Sequence, residues 1–436
     1  MSTTPSTSAK WPDLLGLALI SIVALNLNSV YFLFTGTEAV FSPLVLLLTA
    51  ILIVKYFNTY RITGFYALFL LTIFFYLTLA WIAGLTTFRN DNRYFSAYFS
   101  TVLLVSAVYF WLIYLDEPSR RKVLVALKYL LLISCVFVIL SDKIAPYLLP
   151  PQVDETQTNE LAAAMNTVVR ASGFFANPNE AAMAALYCIV LIAAVPSRGI
   201  HWRILQFAVG ATALIMTFSK AGMLTLLFLA AVFLLAKRSL LAMLLLAISA
   251  ALLWLALWYI LDQDLLSLST EQRARLVDAI SLASGEINQR TTTGRSILLE
   301  IGFDRIRESF PWGWGLGQFH AMEGGLRAAS SFGEFAKWQG VHNTFVMVLG
   351  EAGPIPLLML LAFLAGALAY GMRSPHRSII VGFTIVLIVD MLTTHHVLQI
   401  RLTNVTVAVV LALLAASARA KSNVPARPKP ARIAVT

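Results

Sequence analysis

Charge is what this sequence has least of. Asp, Glu, Lys and Arg make up 12% of its 436 residues while hydrophobic residues make up 59%; a soluble chain carries about 25% charge. Apolar runs broken by short polar stretches recur from Pro12 to Ala416, which excludes a soluble enzyme with one anchor and a disordered chain. Cysteine is nearly absent as well. Cys135 and Cys188 both lie inside apolar runs, where a free thiol behaves as a small hydrophobe, so a disulfide scaffold is excluded too. The run from Leu14 to Phe34 is too long for a signal-peptide core and lacks a small-residue cleavage site, so it reads as a retained first span.

What is present is a polytopic pattern. A helix needs about 20 apolar residues to cross the hydrocarbon. The runs predict about twelve spans: Pro12–Phe34, Phe41–Phe57, Gly64–Leu85, Ser96–Leu115, Val123–Leu149, Glu180–Val195, Trp202–Phe218, Lys220–Ala236, Leu240–Leu261, Asn343–Gly371, Ser378–Thr394 and Leu402–Ala416. Alternating them across a bilayer gathers most Lys and Arg on the side of both termini. The short loops opposite carry only Arg89, Arg93, Lys220 and Arg401, so both ends are expected in the cytoplasm. The net charge of +10 is then mostly topological, and nucleic acid is not an expected partner. The basic, Pro-rich tail at 417–436 reads as disordered, lying against anionic membrane lipids.

Two long loops fall on the other face, 141–179 and 262–342, between spans one to nine at 1–261 and spans ten to twelve at 343–416. The second contains amphipathic stretches, Thr270–Ser284 and Thr293–Ser309, suited to the membrane surface. No repeat relates the two halves, and ionisable residues concentrate at one face, which speaks against a transporter or flippase built from duplicated halves.

Four features on that face could carry chemistry. In RASGFFANPNEAA, Arg170 precedes Asn177-Pro178-Asn179, and Asn179 can cap the helix that follows. In TFSKAGML, Lys220 stands at a turn between short spans, where it either snorkels or meets a phosphate. In TTTGRSILLEIGFDRIRESFPWGWGLGQF, Arg295 falls in a first helical turn, where a cation opposes the macrodipole and makes sense beside a bound anion. Arg305 and Arg307 follow, and Trp312 and Trp314 alternate with glycines in a tight loop, as plates for a sugar face or as anchors at the membrane interface. In VHNTFVMVLGEAGPIPLL, His342 and Asn343 stand at the mouth of the tenth span, and a histidine suits proton transfer near neutral pH. His320, His395 and His396 lack equally distinctive surroundings. Asp390, within a span, reads as an ion pair with Arg401. No metal site is expected: His395 and His396 would diverge on a helix, no Asp-rich Mg²⁺ motif lies in the long loops, and no cofactor is implied.

The ordered set R..GFFANPNEAA, FSKAGML, TGR…FPWGWGLGQF and VHN…LGEAGP resembles the bacterial O-antigen ligase and polymerase superfamily of polytopic glycan transferases, from about Arg170 to the last span. The resemblance implies an all-α, GT-C-like membrane protein of the bacterial inner membrane with a large periplasmic loop. It further implies a metal-independent, inverting glycosyltransferase that uses an undecaprenyl-diphosphate-linked glycan donor. By that resemblance Arg170, Lys220 and Arg295 match the diphosphate-binding positions and His342 the essential histidine; from their own chemistry, Asn177, Asn179, Trp312, Trp314 and Asn343 are expected at the glycan or acceptor. The family usually has Arg where this chain has Lys220, a point charge without the bidentate fork. A ligase would give the glycan to the lipid A core, a polymerase to a growing glycan, and a protein O-oligosaccharyltransferase to Ser or Thr; ligase is the preferred expectation.

Overall fold

A computed structural model describes residues 13–35, 41–56, 62–87, 90–144, 171–175, 177–195, 197, 199–235, 255, 259, 262, 270–283, 285–286, 295–320 and 340–422. Among them the ordered elements are all helical: α1 (Leu14–Ala24), α2 (Leu27–Thr35), α3 (Phe41–Tyr56), α4 (Gly64–Thr87), α5 (Asn92–Tyr114), α6 (Glu117–Ile139), α7 (Pro178–Ala194), α8 (Ile200–Met216), α9 (Lys220–Leu235), α10 (Thr270–Ala283), α11 (Arg295–Ser309), α12 (Thr344–Ala352), α13 (Pro354–Gly371), α14 (Arg377–Thr393) and α15 (Arg401–Ser422). Single turns stand at Ser141–Ile144 and Val397–Gln399. Segments of α4, α5, α6, α13 and α15 are long and apolar enough to cross a membrane, and α1, α3, α7, α8 and most of α9 are shorter apolar helices. The chain is thus a multi-pass membrane protein. The ninth run, 240–261, lies outside the described residues apart from isolated positions, as do 145–170 and 423–436.

Helix α7 forms the centre. Its residues Ala181 to Ile192 are all buried, as expected of a helix that is apolar all round inside a larger bundle. Its alanines and its neighbours' glycines let backbones approach closely. A Cβ on Gly222 would stand 3.0 Å from that of Ala182, and one on Gly382 would stand 2.6 Å from Val190. Around this centre α6, α8, α9 and α14 pack on α7, while α3 and α15 flank α5 and α13 lies along α4. At the far end of α5, Arg120 donates to the carbonyls of Leu112 and Leu115 at 3.1 and 2.7 Å, satisfying orphan acceptors at a helix C-terminus.

Two predicted spans are interrupted. The first divides at Asn26, whose φ of 49° is a left-handed conformation that Asn tolerates; its carboxamide donates to the Phe174 carbonyl at 2.9 Å. The tenth divides at Gly353 (φ 79°), where a Cβ would clash with the Pro311 carbonyl. Only its second part, Pro354–Gly371, has the length of a span. Hydropathy continues across both breaks, so the apolar pattern conceals them. The last helix also runs to Ser422, beyond the predicted end at Ala416.

Candidate functional site

At one end of the bundle the start of α7 and the α8–α9 turn lie side by side. Asn177, not Asn179, caps α7: its Oδ1 accepts the Asn179 N–H at 2.8 Å, and Pro178 occupies the first helical position, where its missing N–H costs nothing. Asn179 instead accepts the Ser219 hydroxyl at 3.1 Å, tying the two segments together. The turn passes through Phe218 at φ 47° and delivers Lys220 to the first residue of α9. There Lys220 Nζ meets Asp278 Oδ2 of α10 at 2.8 Å, with each side chain 11% exposed. Leu276 and Ile280 of α10 pack with Phe218 and Met223 beside this pair. Lys220 therefore does not snorkel; a carboxylate of its own chain holds it.

Beside this lies a group of imidazoles. His342 has φ 48°, a strained backbone for a residue with a side chain. Its ring packs edge-on against His395, centroids 5.1 Å apart, and His395 in turn meets His396 at 5.0 Å and His320 at 5.4 Å. His395 and His396 do not sit on a helix: they follow the end of α14 and precede the Val397–Gln399 turn, so both rings reach the same cluster. His396 Nε2 faces Glu180 Oε1 of α7 at 3.7 Å.

Arg295, the first residue of α11, joins this cluster electrostatically. Burial, then the Arg295 charge, then His396, holds the His342 imidazole down at about pKa 4. Burial foremost, then the other three histidines and Arg295, takes His395 down to about 2. Both rings are neutral near pH 7, with a lone pair free to accept a proton beside a permanent cation. The arrangement suits an anion bound next to a hydroxyl that must lose a proton.

The glycine-rich loop serves as scaffold. Trp314 N–H donates to the Gly350 carbonyl at 2.8 Å and Gly315 N–H to that of Glu351 at 3.2 Å, covering the carbonyls left open at the end of α12. Gly313 and Gly315 have φ of 90° and 107°, and their Cβ atoms would fall 2.5 Å from the Glu351 oxygen and 2.6 Å from Gly84 Cα, so only glycine fits. Trp314 is half-buried and its indole donates to the Arg305 carbonyl at 2.6 Å, which makes it a brace. Trp312 is 75% exposed and remains available as a plate. The loop ends by placing His320 against Glu351 at 3.1 Å.

Of the residues singled out in the sequence, Arg295 and His342 share one cluster, and Asn177, Asn179 and Lys220 share the neighbouring patch. Arg170 and Thr293-Gly294 lie outside the described residues. Asn343 caps α12, accepting the Val346 N–H at 3.0 Å, and donates to the Leu392 carbonyl at 3.3 Å. Arg307 pairs with Asp304 on the exposed face of α11 at 2.8 Å. The expected Asp390–Arg401 pair does not form: Arg401 donates to Ser42 at 2.7 Å, and Asp390 turns toward Thr394. His320, His395, His396, Glu180 and Glu351 join the site without a distinctive sequence motif of their own. Among the described residues no group of three or more His, Cys, Asp or Glu could hold a metal ion.

Fold and site together define an all-helical, multi-pass membrane protein with an arginine–histidine centre at one end of its bundle. A family model described as O-antigen ligase matches residues 205–362, 158 of the 436 residues (362 − 205 + 1). Over that stretch the chain is similar to the O-antigen ligase and polymerase superfamily, whose members are glycosyltransferase-like enzymes with lipid-linked glycan substrates. The matched stretch contains Lys220, Arg295, His320, His342 and Glu351. No curated protein matches the chain.

Proposed function

We propose that this protein transfers a glycan from undecaprenyl diphosphate to an acceptor at the periplasmic face of the inner membrane, as an O-antigen ligase whose acceptor is the lipid A core. The observation that carries this reading is the meeting of Arg295 with the neutral imidazoles of His342 and His395. Arg170, Lys220 and Arg295 hold the donor diphosphate. Their charge stabilises the phosphate oxygen as the bond to the anomeric carbon breaks and undecaprenyl diphosphate departs. His342 orients the acceptor hydroxyl and takes its proton as the oxygen attacks that carbon. Because the imidazole is a weak base here, proton transfer follows bond formation, when the oxygen has become acidic. A single displacement inverts the anomeric centre, and no metal is required because arginine and lysine offset the phosphate charge.

The test is the surface glycan profile of a strain lacking the protein. Long chains missing from the lipid A core, with lipid-linked polymer accumulating, is the expected result. Single short repeats in place of long chains would assign a polymerase to the same site, and an unchanged profile would remove the transferase reading.

A further inference from the structure

Glu351 is 0% exposed at the end of α12, and three donors converge on it. Tyr76 donates its hydroxyl to Oε2; the Phe319 N–H and His320 Nδ1 reach Oε1 at 2.8 and 3.1 Å. On its other edge, His320 Nε2 accepts from Gln399 Nε2 at 2.9 Å, which assigns the ring proton to Nδ1. Tyr94 covers the ring at 3.9 Å between centroids. A carboxylate in such a setting is costly to bury and contributes little to stability that an apolar residue could not supply. Its benefit therefore has to be sought in what it holds.

It holds the first ring of a stack. His320 stands edge-on to His395 at 88°, and His395 edge-on to His342 at 73°. His395 Nδ1 is buried without a hydrogen-bond partner among the described residues, so packing rather than a hydrogen bond sets that ring. Behind it is Gly340, where a Cβ would stand 2.7 Å from the His395 ring and 2.6 Å from the His320 carbonyl. A shift in His320 must therefore pass to His395 and on to His342, whose left-handed backbone already depends on its surroundings.

We propose that Glu351 is a positioning residue: acting through His320 and His395, it fixes the orientation in which the His342 imidazole meets the acceptor. This rests on the transfer reaction proposed above. The test uses the full chain in nanodiscs with undecaprenyl-diphosphate-linked glycan and lipid A core. Glu351→Gln keeps the shape but removes the carboxylate, and kcat falls about tenfold to a hundredfold while the donor KM stays within about twofold. In a His320→Asn background the same substitution adds less than about a further twofold loss, because its route is already cut. Unchanged kcat in Glu351→Gln, or losses that multiply in the double variant, overturns the proposal. A readout that needs no glycan separates its failure from that of the reaction: carbethoxylation of His342 by diethyl pyrocarbonate, followed by mass spectrometry, changes severalfold in Glu351→Gln. An unchanged modification rate refutes the positioning role even if transfer is never observed. Where Glu351→Gln does not fold, Gly340→Ala presses on the same rings from the opposite side, and unaltered His342 modification in it counts equally against the role.

Discussion

The two sides of the site differ in how they are held. The imidazole side is fixed from several directions. Residues far apart in sequence, Tyr94, His320, His342, Glu351 and His395, interlock through buried hydrogen bonds and edge-on rings, with a glycine loop locked beneath them. The links on the cation side include the Asn179–Ser219 hydrogen bond, the Lys220–Asp278 ion pair and an apolar contact of Phe218 and Met223 with Leu276 and Ile280 of α10. Rigid placement suits a group that must meet a reacting atom within a fraction of an ångström. A cation already paired with a carboxylate of its own chain must exchange partners to bind a phosphate. Under the proposed function the imidazole side is ready before the donor arrives, and the cation side is completed by it.

That contrast can be broken from either side. The largest effect is expected on the imidazole side, where His342→Ala lowers glycan transfer by about 10²–10⁴-fold with membrane insertion and melting temperature little changed; a chromatographic transfer assay and a detergent melt check both. On the cation side, Lys220→Ala leaves Asp278 buried without this partner and lowers stability by about 2–5 kcal/mol. A Lys220→Ala/Asp278→Ala double variant recovers much of that loss in the melt. Recovery of stability without recovery of transfer would separate the structural role of the pair from its catalytic one.

A pH series sharpens the comparison further. His342 has a folded pKa of about 4, below the 6.5 of a free imidazole, so the unfolded chain takes up the proton first. Stability from this group is present above about pH 6.5 and declines as pH falls toward 4; His342→Asn should flatten that part of the melting profile. For the same reason kcat/KM stays level from pH 7 to about 5 and drops as pH passes through about 4, where the base is protonated. The smallest expected effect belongs to Trp312→Ala. At an exposed position it changes stability by no more than about 0.5 kcal/mol, and loss of a stacking contact lowers transfer no more than about tenfold.

Much of the bundle could be read from the apolar runs because a membrane span leaves a long, unambiguous signal. The breaks at Asn26 and Gly353 are hidden in those runs because one or two polar or small residues among apolar neighbours hardly lower hydropathy averaged over a span, although Gly353-Pro354 is itself a helix-ending pair. Arg295 and His342 were recognisable from their local motifs. Their companions were not: His320 lies at the end of a loop whose fold depends on three glycines, and Glu351 looks like a residue within a span until α12 is seen to end there. His395 and His396 diverge if read as helical, whereas α14 stops at Thr393 and both rings join one cluster. The signal that could have found two of them is that His342, His395 and His396 all adjoin the ends of predicted spans on one face; His320, inside the long loop, carries no such signal. Lys220 illustrates the converse. Its motif marked a cation at the right depth, but nothing local announced that Asp278, on a separate loop helix, would neutralise it.

The central claim is that Arg295 and His342 form one transfer centre, and reconstituted transfer tests it most directly. Purified protein in nanodiscs is given labelled undecaprenyl-diphosphate glycan and lipid A core, and product is followed in wild type and Arg295→Ala. Wild type should form glycosylated core and release undecaprenyl diphosphate, and Arg295→Ala should be slower by about 10²–10³-fold while remaining folded. Equal rates in the two proteins would contradict the account.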